Sequence, residues 1–343
     1  MITDLRSDTV TRPTAGMLQA MMQAEVGDDV FGEDPTVIAL EQQTAHLFGM
    51  EAGLFCPSGT MANQIAIKVH TRPLDEVVCH QDSHIYQYET GGYAYHSGVG
   101  IKLLQGSEGR ISPEQITASV NPPFDWLPQT SLVVIENTCN KAGGSLYTIE
   151  QMQSISQTCR QHHLALHLDG ARIFNALVAL DAHAQQLTGL FDSISVCLSK
   201  GLGAPVGSVL LGNHSFIKAA RRVRKVMGGG MRQAGILAAA GLYALEYHVD
   251  RLREDHQRAK ILETALQKHP FVTKVLTAYT NIVIFELSSS ITVPQFLTKL
   301  AAHNVKGIQF GPSQIRFVTH LDFTDLMLQH TLEALSKIAD EPV

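Results

Sequence analysis

Two apolar runs, each ending in a charged residue, decide the fold of this chain: Leu164-Ala165-Leu166-His167-Leu168-Asp169 before Gly170-Ala171-Arg172, and Ser193-Ile194-Ser195-Val196-Cys197-Leu198-Ser199-Lys200 before Gly201-Leu202-Gly203. Short apolar runs of this kind are typical of buried strands in a parallel sheet. In an open α/β sheet, ligands bind outside the carboxyl ends of the strands. We therefore expect Asp169 and Lys200 to emerge at the same edge of one sheet.

An acid and a lysine at that edge indicate pyridoxal phosphate as the cofactor. A lysine forms a Schiff base with the aldehyde of this cofactor, and an acid keeps the pyridine nitrogen protonated so that the ring can withdraw electrons. A free lysine is protonated at neutral pH, so burial and nearby cations are needed to destabilise the ammonium form of Lys200.

The composition describes a globular protein and excludes several partners. The chain has 343 residues, 45% hydrophobic and 17% charged, with a net charge of −6. The negative charge argues against nucleic acid as a partner, and no apolar stretch reaches the length of about 18 residues that predicts a membrane span. The basic cluster on one predicted helix is interpreted as a solvated face: Lys218, Arg221, Arg222, Arg224 and Lys225.

Cysteine usage and the first residues predict a cytoplasmic protein. The five cysteines are scattered, odd in number and form no C-x-x-C pair, which indicates reduced thiols rather than a disulfide framework. The residues from Met1 to Asp8 lack the apolar core of a signal peptide.

Predicted helices and strands alternate from residue 35 onward, which favours βαβ units and a largely parallel sheet. We expect a large domain over residues 1–245, including an N-terminal segment 1–34, and a smaller α+β domain over 246–343. The predicted helices are 35–48, 59–69, 148–163, a long segment 231–267, and 293–303. Besides the two strands that end at Asp169 and Lys200, the predicted strands are 53–56, 76–79, 131–136, 207–211, 272–276, 281–287 and 315–318.

A helix start near residue 59 is a candidate phosphate site. Ser58-Gly59-Thr60 places free backbone N–H groups and a hydroxyl at the positive end of a helix dipole. Alone, this pattern favours an ordinary serine N-cap; combined with Asp169 and Lys200, it favours phosphate binding.

His84 follows the strand 76–79 and so lies at the same sheet edge, where an imidazole can stack on a pyridine ring and exchange protons. His80 and His84 are spaced like a metal pair, but no H-E-x-x-H pattern and no third ligand are found, so we predict no metal. Arg172 and Arg316 are candidates for binding a substrate carboxylate, because arginine can contact both carboxylate oxygens.

Several blocks closely resemble the low-specificity L-threonine aldolases, which are pyridoxal-phosphate enzymes of the aspartate aminotransferase fold (fold type I). These blocks follow one another in the same order over most of the chain: 4–11 (DLRSDTVT), 27–36 (GDDVFGEDPT), 58–64 (SGTMANQ), 167–172 (HLDGAR), 198–203 (LSKGLG), 228–233 (GGGMRQ) and 316–320 (RFVTH). The resemblance implies a mostly parallel seven-stranded sheet flanked by helices. It also implies a homotetramer, a dimer of dimers, with active sites at subunit interfaces.

The resemblance further implies a role for each matching residue. Lys200 would hold the cofactor and Asp169 its ring nitrogen, while Ser58, Gly59 and Thr60 would bind the phosphate and His84 would stack on the ring. The substrate carboxylate would be held by Ser7, Arg172 and Arg316, and Arg172 would also contact the cofactor. Arg232 would lie near the phosphate, from the same or a neighbouring subunit.

Two positions depart from the family pattern. Cys139 and Trp126 stand where relatives commonly have histidines, the latter near the substrate hydroxyl. Both changes are expected either to affect selectivity between threonine and allo-threonine or to admit bulkier β-substituents.

The expected reaction is retro-aldol cleavage of a β-hydroxy-α-amino acid to glycine and an aldehyde, which would make the chain an aldehyde-lyase. His84 is the candidate base, or the residue that positions a water molecule acting as the base. The alternatives are a β-eliminating lyase or aminotransferase on the same scaffold, since fold does not determine reaction type. A catalytically inactive binding homologue is the remaining alternative.

Overall fold

The computed structural model describes residues 2–340. Met1, in the predicted N-terminal segment, and residues 341–343, in the predicted second domain, lie outside the described residues. In chain order the strands are β1 (Thr3–Asp4), β2 (Ala52–Cys56), β3 (Glu76–His80), β4 (Gly100–Leu104), β5 (Thr130–Glu136), β6 (Ala165–Gly170), β7 (Ser193–Cys197), β8 (Ser208–Gly212), β9 (Val272–Val275), β10 (Ile282–Leu287), β11 (Val305–Lys306), β12 (Ile308–Gln309) and β13 (Gln314–Val318).

The helices lie between these strands and after the last of them. They are α1 (Ala15–Met22), α2 (Pro35–Phe48), α3 (Gly59–His70), α4 (His84–Gln87), α5 (Pro113–Ser119), α6 (Ile149–Gln161), α7 (Ile173–Leu180), α8 (His214–Val226), α9 (Gly235–Tyr247), α10 (Leu252–Leu266), α11 (Val293–Ala302) and α12 (Asp325–Asp340). Among the described residues, no helix is long and apolar enough to cross a membrane.

The central sheet has seven strands in the order β2-β8-β7-β6-β5-β3-β4. Strand β8 is antiparallel to both of its neighbours, and the other neighbouring pairs are parallel. The predicted fold class, a mostly parallel seven-stranded sheet flanked by helices, is therefore confirmed. Strands β5 to β8 are almost entirely buried, as expected for strands covered by helices on both faces.

A second sheet, β12-β13-β10-β9, is antiparallel and lies in the C-terminal part of the chain. Its hydrophobic cluster contains Phe285, Phe296 and Phe317, and also Leu5 from the N-terminal segment. Strand β1 pairs in parallel with β11, so this segment is joined to the C-terminal part. We keep the division near residue 246 as a proposal.

Local sequence signals explain why predicted helix bounds agree with the structure. Asp34 caps α2 by accepting from the N–H of Val37, Pro35 occupies the first turn, and Gly49 ends the helix in a left-handed conformation, which glycine adopts without steric cost. Ser58 caps α3 in the same way, accepting from the N–H of Met61.

Two expectations need correction. The long helical segment 231–267 is divided into α9 and α10; the backbone turns at His248, whose Nδ1 donates to the carbonyl of Leu202 at 2.7 Å. The basic cluster on α8 is only partly a solvated face, because Arg224 is buried and forms a salt bridge with Asp29 at 2.7 Å. Arg221, on the same side of α8, pairs with Glu41.

Candidate active site

The carboxyl ends of the parallel strands bring the charged residues of the two apolar runs to one edge. Asp169 lies near the end of β6, and Lys200 lies three residues beyond the end of β7. Glu136, the last residue of β5, is in register with Asp169. The predicted convergence of Asp169 and Lys200 at one sheet edge therefore agrees with the topology.

Asp169 is almost completely buried and is held by two hydrogen bonds. Its Oδ2 accepts from Nδ2 of Asn63 at 2.8 Å, and its Oδ1 accepts from the N–H of Ala171 at 3.1 Å. Burial, assisted by the negative charge of Asp169, raises the pKa of the neighbouring Glu136 to about 7. Asp169 is thus a fixed acid in a water-poor environment, as pairing with a protonated ring nitrogen requires.

A pocket of about 360 Å³ opens above this edge. Among the predicted site residues, the structure brings Ser7, His84, Arg172, Lys200 and Arg316 together in its wall. Thr9, Tyr88, Asn140, Ile308, Gln309 and Phe310 complete the lining.

Arg172 is fixed by a carboxylate that the sequence analysis did not single out. Its Nε and Nη2 donate to the two oxygens of Asp8, at 2.7 and 2.8 Å, and both side chains are buried. Burial by itself would raise the pKa of Asp8, but the adjacent guanidinium outweighs it and lowers this pKa. Because Asp8 binds the edge of the guanidinium formed by Nε and Nη2, Nη1 of Arg172 is the nitrogen left for a ligand. Nη1 lies 3.4 Å from Oδ1 of Asn140.

Arg316, on β13, lies beside Arg172 and shares the same acceptor. Its Nη1 donates to Oδ1 of Asn140 at 3.0 Å and its Nη2 to the carbonyl of Arg6 at 3.1 Å, while Nε is buried without a hydrogen-bond partner among the described residues. The ring of Phe310 lies 4.6 Å from the guanidinium carbon. Burial and the charge of Arg172 lower the pKa of Arg316 to about 10. Two guanidiniums and Lys200 around one pocket favour an anionic ligand.

Ser7 and Asp8 belong to an N-terminal strap, residues 3–12, which contributes Ser7 and Thr9 to the pocket wall. Ser7 caps a short 3-10 helix, and its Oγ accepts from the N–H of Thr9 at 3.2 Å. The strap is bonded to the C-terminal part through β1, and to the loop after β7 through Thr11, whose hydroxyl donates to the carbonyl of Lys200 at 3.0 Å.

His84 begins α4, and its ring is held at the pocket wall. Its backbone N–H donates to Oε2 of Glu136 at 3.0 Å, and its Nδ1 donates to Oε1 of Glu89 at 2.9 Å. The ring of Tyr88 lies 5.5 Å away. His80 is engaged elsewhere, since its Nε2 contacts the carbonyl of Gly106.

The predicted phosphate residues lie at the start of α3, which packs against β6, β7 and β8. The amides of Gly59 and Thr60 are in the first turn, where N–H groups have no carbonyl partner within the helix. A Cβ on Gly59 would lie 2.5 Å from Sγ of Cys197, so a larger residue would force the helix start or Cys197 to shift. Ser58 and Thr60 are exposed and are not part of the pocket wall.

Other predicted residues lie outside the pocket. Arg232 is exposed and pairs with Asp28 at 2.9 Å. Trp126 is 77% exposed and stacks on Phe124 at 4.8 Å; its loop precedes β5, so it lies at the opposite edge of the sheet from Asp169. Cys139 is buried, with Sγ 3.1 Å from the carbonyl of Glu136.

One group of potential ligands has the spacing of a metal site: single donor atoms of His84, Glu89 and Asp169 lie within 4.8 Å of one another. However, Nδ2 of Asn63 donates to both carboxylates. Amide hydrogens directed at these oxygens oppose a cation, so we interpret the group as a hydrogen-bonded network.

Comparison with known proteins identifies the family. The model of the beta-eliminating lyase family matches residues 4–290. A low-specificity L-threonine aldolase from Arabidopsis thaliana is 41% identical over 341 residues, covering 97% of this chain and 95% of the relative. The chain belongs to the beta-eliminating lyase family and, within it, to the low-specificity L-threonine aldolases.

Solved structures share the fold. A threonine aldolase from Leishmania major superposes with a TM-score of 0.84 at 21% identity, covering 98% of this chain and 99% of that one. A serine palmitoyltransferase from S. paucimobilis, solved with a bound pyridoxal-phosphate–myriocin adduct, gives a TM-score of 0.77 at 17% identity, covering 99% and 88%. At these identities the likeness establishes the fold alone.

Proposed function

We propose that this chain is an aldehyde-lyase that cleaves L-threonine, L-allo-threonine and related β-hydroxy-α-amino acids to glycine and an aldehyde, with pyridoxal phosphate as its cofactor. The observation that carries this function is the placement of Lys200 and buried Asp169 at neighbouring strand ends, beside a pocket lined by Arg172 and Arg316. The 41% identity to a low-specificity L-threonine aldolase supports it.

The donor set fits the cofactor. Asp169 supplies a buried acid for the ring nitrogen, Lys200 supplies the amine for the aldehyde, and the first turn of α3 supplies amides for the phosphate. The lack of a side chain at Gly59 lets this first turn pack closely against Cys197 at the end of β7. When bound, pyridoxal phosphate supplies an electron sink for the negative charge that develops at the substrate Cα.

The substrate carboxylate is held by Arg316 and Ser7, with Nη1 of Arg172 as a further donor. Nε of Arg316 makes no hydrogen bond with any described residue, so this guanidinium has an unused donor. Fixing the carboxylate orients the Cα–Cβ bond for cleavage, and orientation of this kind supplies a large part of enzymatic rate acceleration.

His84 accepts the proton of the β-hydroxyl group. Its ring lines the pocket with Lys200 and is 29% exposed, so a hydroxyl or a bridging water can reach it. Tyr88, Ile308 and Phe310 add apolar surface to the pocket lining, which suits the departing aldehyde.

Product analysis separates this function from its alternatives. Purified protein incubated with pyridoxal phosphate and either threonine diastereomer is expected to give equal amounts of glycine and acetaldehyde. Pyruvate and ammonia from serine would instead establish a β-eliminating lyase, the reaction that the family model's name describes, and a keto acid would establish an aminotransferase. Bound cofactor without turnover would indicate an inactive homologue. Lys200→Ala is expected to abolish turnover.

We also propose a homotetramer with active sites at subunit interfaces, in the cytoplasm. The exposure of Ser58, Thr60 and Arg232 in a single chain supports a subunit interface at the active site, because a neighbouring subunit would enclose the phosphate. Analytical ultracentrifugation measures the assembly. If Arg232 acts across the interface, inactive Lys200→Ala and Arg232→Ala proteins would regain activity when unfolded and refolded together. The five free, buried cysteines fit a reducing compartment, and cell fractionation tests it.

A further inference from the structure

Glu89 is a buried carboxylate that neither the sequence patterns nor the proposed reaction uses. Its side chain is fully buried and accepts three side-chain hydrogen bonds: from Nδ1 of His84 at 2.9 Å, Nδ2 of Asn63 at 2.9 Å and Nε2 of Gln64 at 2.6 Å. Among the described residues, no lysine or arginine forms a salt bridge with it. A buried carboxylate is costly unless it is paired and hydrogen-bonded, and His84 is its one ionisable partner.

The contact with Glu89 fixes the protonation pattern of His84. An ionised carboxylate only accepts hydrogen bonds, so Nδ1 of His84 carries a hydrogen. Nε2 is then the ring nitrogen available to the pocket. A second carboxylate, Glu136, holds the backbone N–H of the same residue, so both the ring and the helix start are fixed.

Asn63 connects this pair to Asp169. Its Nδ2 donates to Oε1 of Glu89 and to Oδ2 of Asp169, at 2.9 and 2.8 Å. Its Oδ1 accepts from Oγ of Ser195 at 2.7 Å and from Nε2 of His167 at 3.1 Å. With donors on one side and carboxylates on the other, the amide has a single orientation.

The amide orientation is supported by a buried chain of neutral groups. Burial lowers the pKa of His167 to about 3, and that of His70 to about 4. Because His167 donates through Nε2, its Nδ1 accepts from Oγ of Ser193 at 2.8 Å, and Ser193 in turn accepts from Nε2 of His70 at 2.8 Å.

The charges around His84 come from several elements. Glu89, Asp169 on β6 and Glu136 on β5 face it, and Tyr88 lies beside it; Lys200, Arg172 and Arg316 line the same pocket. Burial by itself would lower the pKa of His84, but the hydrogen bond to Glu89 and the three carboxylates outweigh it, so this pKa is raised.

We propose that Glu89 is a positioning residue, which holds the His84 imidazole with Nε2 presented to the substrate, and that Asn63 joins this pair to Asp169. The proposal rests on the proposed function, in which His84 accepts the β-hydroxyl proton. A fixed carboxylate–imidazole pair defines the tautomer and direction of the base, and it strengthens the base by stabilising its protonated form.

The test measures the proton affinity of His84 without turnover. Diethyl pyrocarbonate reacts with neutral imidazole, so the labelling rate of the His84 peptide, followed by mass spectrometry against pH, reports its pKa in cofactor-free protein. We expect a wild-type midpoint above that of an exposed histidine, about 6.5. In Glu89→Gln the midpoint should fall by about one unit or more, since an adjacent opposite charge shifts a pKa by that amount. Glu89→Asp should restore it at least in part.

A matched control is Glu41→Gln. Glu41 is also a buried carboxylate that accepts a backbone N–H, but it is remote from the pocket wall, so the His84 midpoint should not change. In the holoenzyme, Glu89→Gln should lower kcat/KM by up to about 100-fold, the lower limit of what a general acid or base contributes, because His84 itself is retained. It should also move the acidic limb of the pH profile to lower pH.

Three results would overturn the proposal: a wild-type midpoint below that of an exposed histidine, an unchanged midpoint in folded Glu89→Gln, or an equal shift in Glu41→Gln. If Glu89→Gln does not fold, the proposal is judged from the His84 labelling midpoints of the wild-type protein and of Glu89→Asp. Failure of the proposed function is separate, because it appears as missing aldehyde in the wild-type protein while the labelling result is unaffected.

Discussion

Replacing Asp8 by asparagine should destabilise the protein and loosen the pocket. The carboxylate of Asp8 accepts hydrogen bonds from Nε and Nη2 of Arg172, at 2.7 and 2.8 Å, and from Nδ2 of Asn281 at 3.2 Å. Its side chain has no exposed surface. An asparagine keeps one acceptor oxygen and leaves the Arg172 charge buried without a counter-ion. Removing one partner of a buried ion pair costs about 3–5 kcal/mol, which corresponds to a fall in Tm of about 4–7 °C for a chain of 343 residues.

The assay is thermal unfolding of cofactor-free protein by circular dichroism, with KM for L-threonine measured in parallel. Asp4→Asn is the control, since Asp4 belongs to the same strap but pairs with Arg6, which is 47% exposed. An exposed pair contributes about 0–1 kcal/mol, so this variant should unfold close to wild type. Because Ser7 and Arg172 both line the pocket, KM should rise in Asp8→Asn alone. Equal Tm values for the two variants would refute the reasoning.

Three further changes test other parts of the site. Arg316→Lys keeps the charge but loses the fork that suits a carboxylate, so KM for L-threonine should rise about 10-fold or more while kcat changes less; an unchanged KM would remove Arg316 from carboxylate binding. Gly59→Ala places a Cβ against Sγ of Cys197, so pyridoxal phosphate should bind more weakly in an absorbance titration, and unaltered affinity would contradict the predicted phosphate site. Burial raises the pKa of Glu136 to about 7, above its unfolded value of about 4.3, so the folded state binds this proton more tightly than the unfolded state does. The protonated carboxyl therefore stabilises the fold at low pH, and this contribution to the free energy of unfolding is lost as pH rises from about 4.5 to 7. Urea unfolding of Glu136→Gln across this range should lack that loss, and the same slope in both proteins would exclude Glu136 as its source.

The fold was predictable because its signals are local. Apolar runs ending at Asp169 and Lys200, and caps such as Asp34 with Pro35, each act within one element, and parallel topology then places the strand ends together. Strand β4 was not predicted, because its residues are only partly buried and carry no regular apolar pattern.

The site was predictable where a residue lies at a strand end, and less so elsewhere. Lys200, Asp169 and His84 follow from their positions. Asp8 contacts Arg172 across a separation of 164 residues, and Glu89, although close to His84 in sequence, lies in a bend after α4, so no spacing rule identifies either carboxylate. Phe310 stacks on Arg316 from a loop for which the sequence gives no signal. The predicted effects of Trp126 and Cys139 on selectivity stay predictions; neither residue lines the pocket of a single chain.

The central claim, that Lys200 holds pyridoxal phosphate opposite buried Asp169, is tested most directly by borohydride reduction. Protein loaded with the cofactor is reduced, digested and analysed by mass spectrometry. We expect the phosphopyridoxyl group on the peptide that contains Lys200, and no such label on that peptide in Lys200→Ala. Label on a different lysine, or no label in wild-type protein at saturating cofactor, would contradict the assignment.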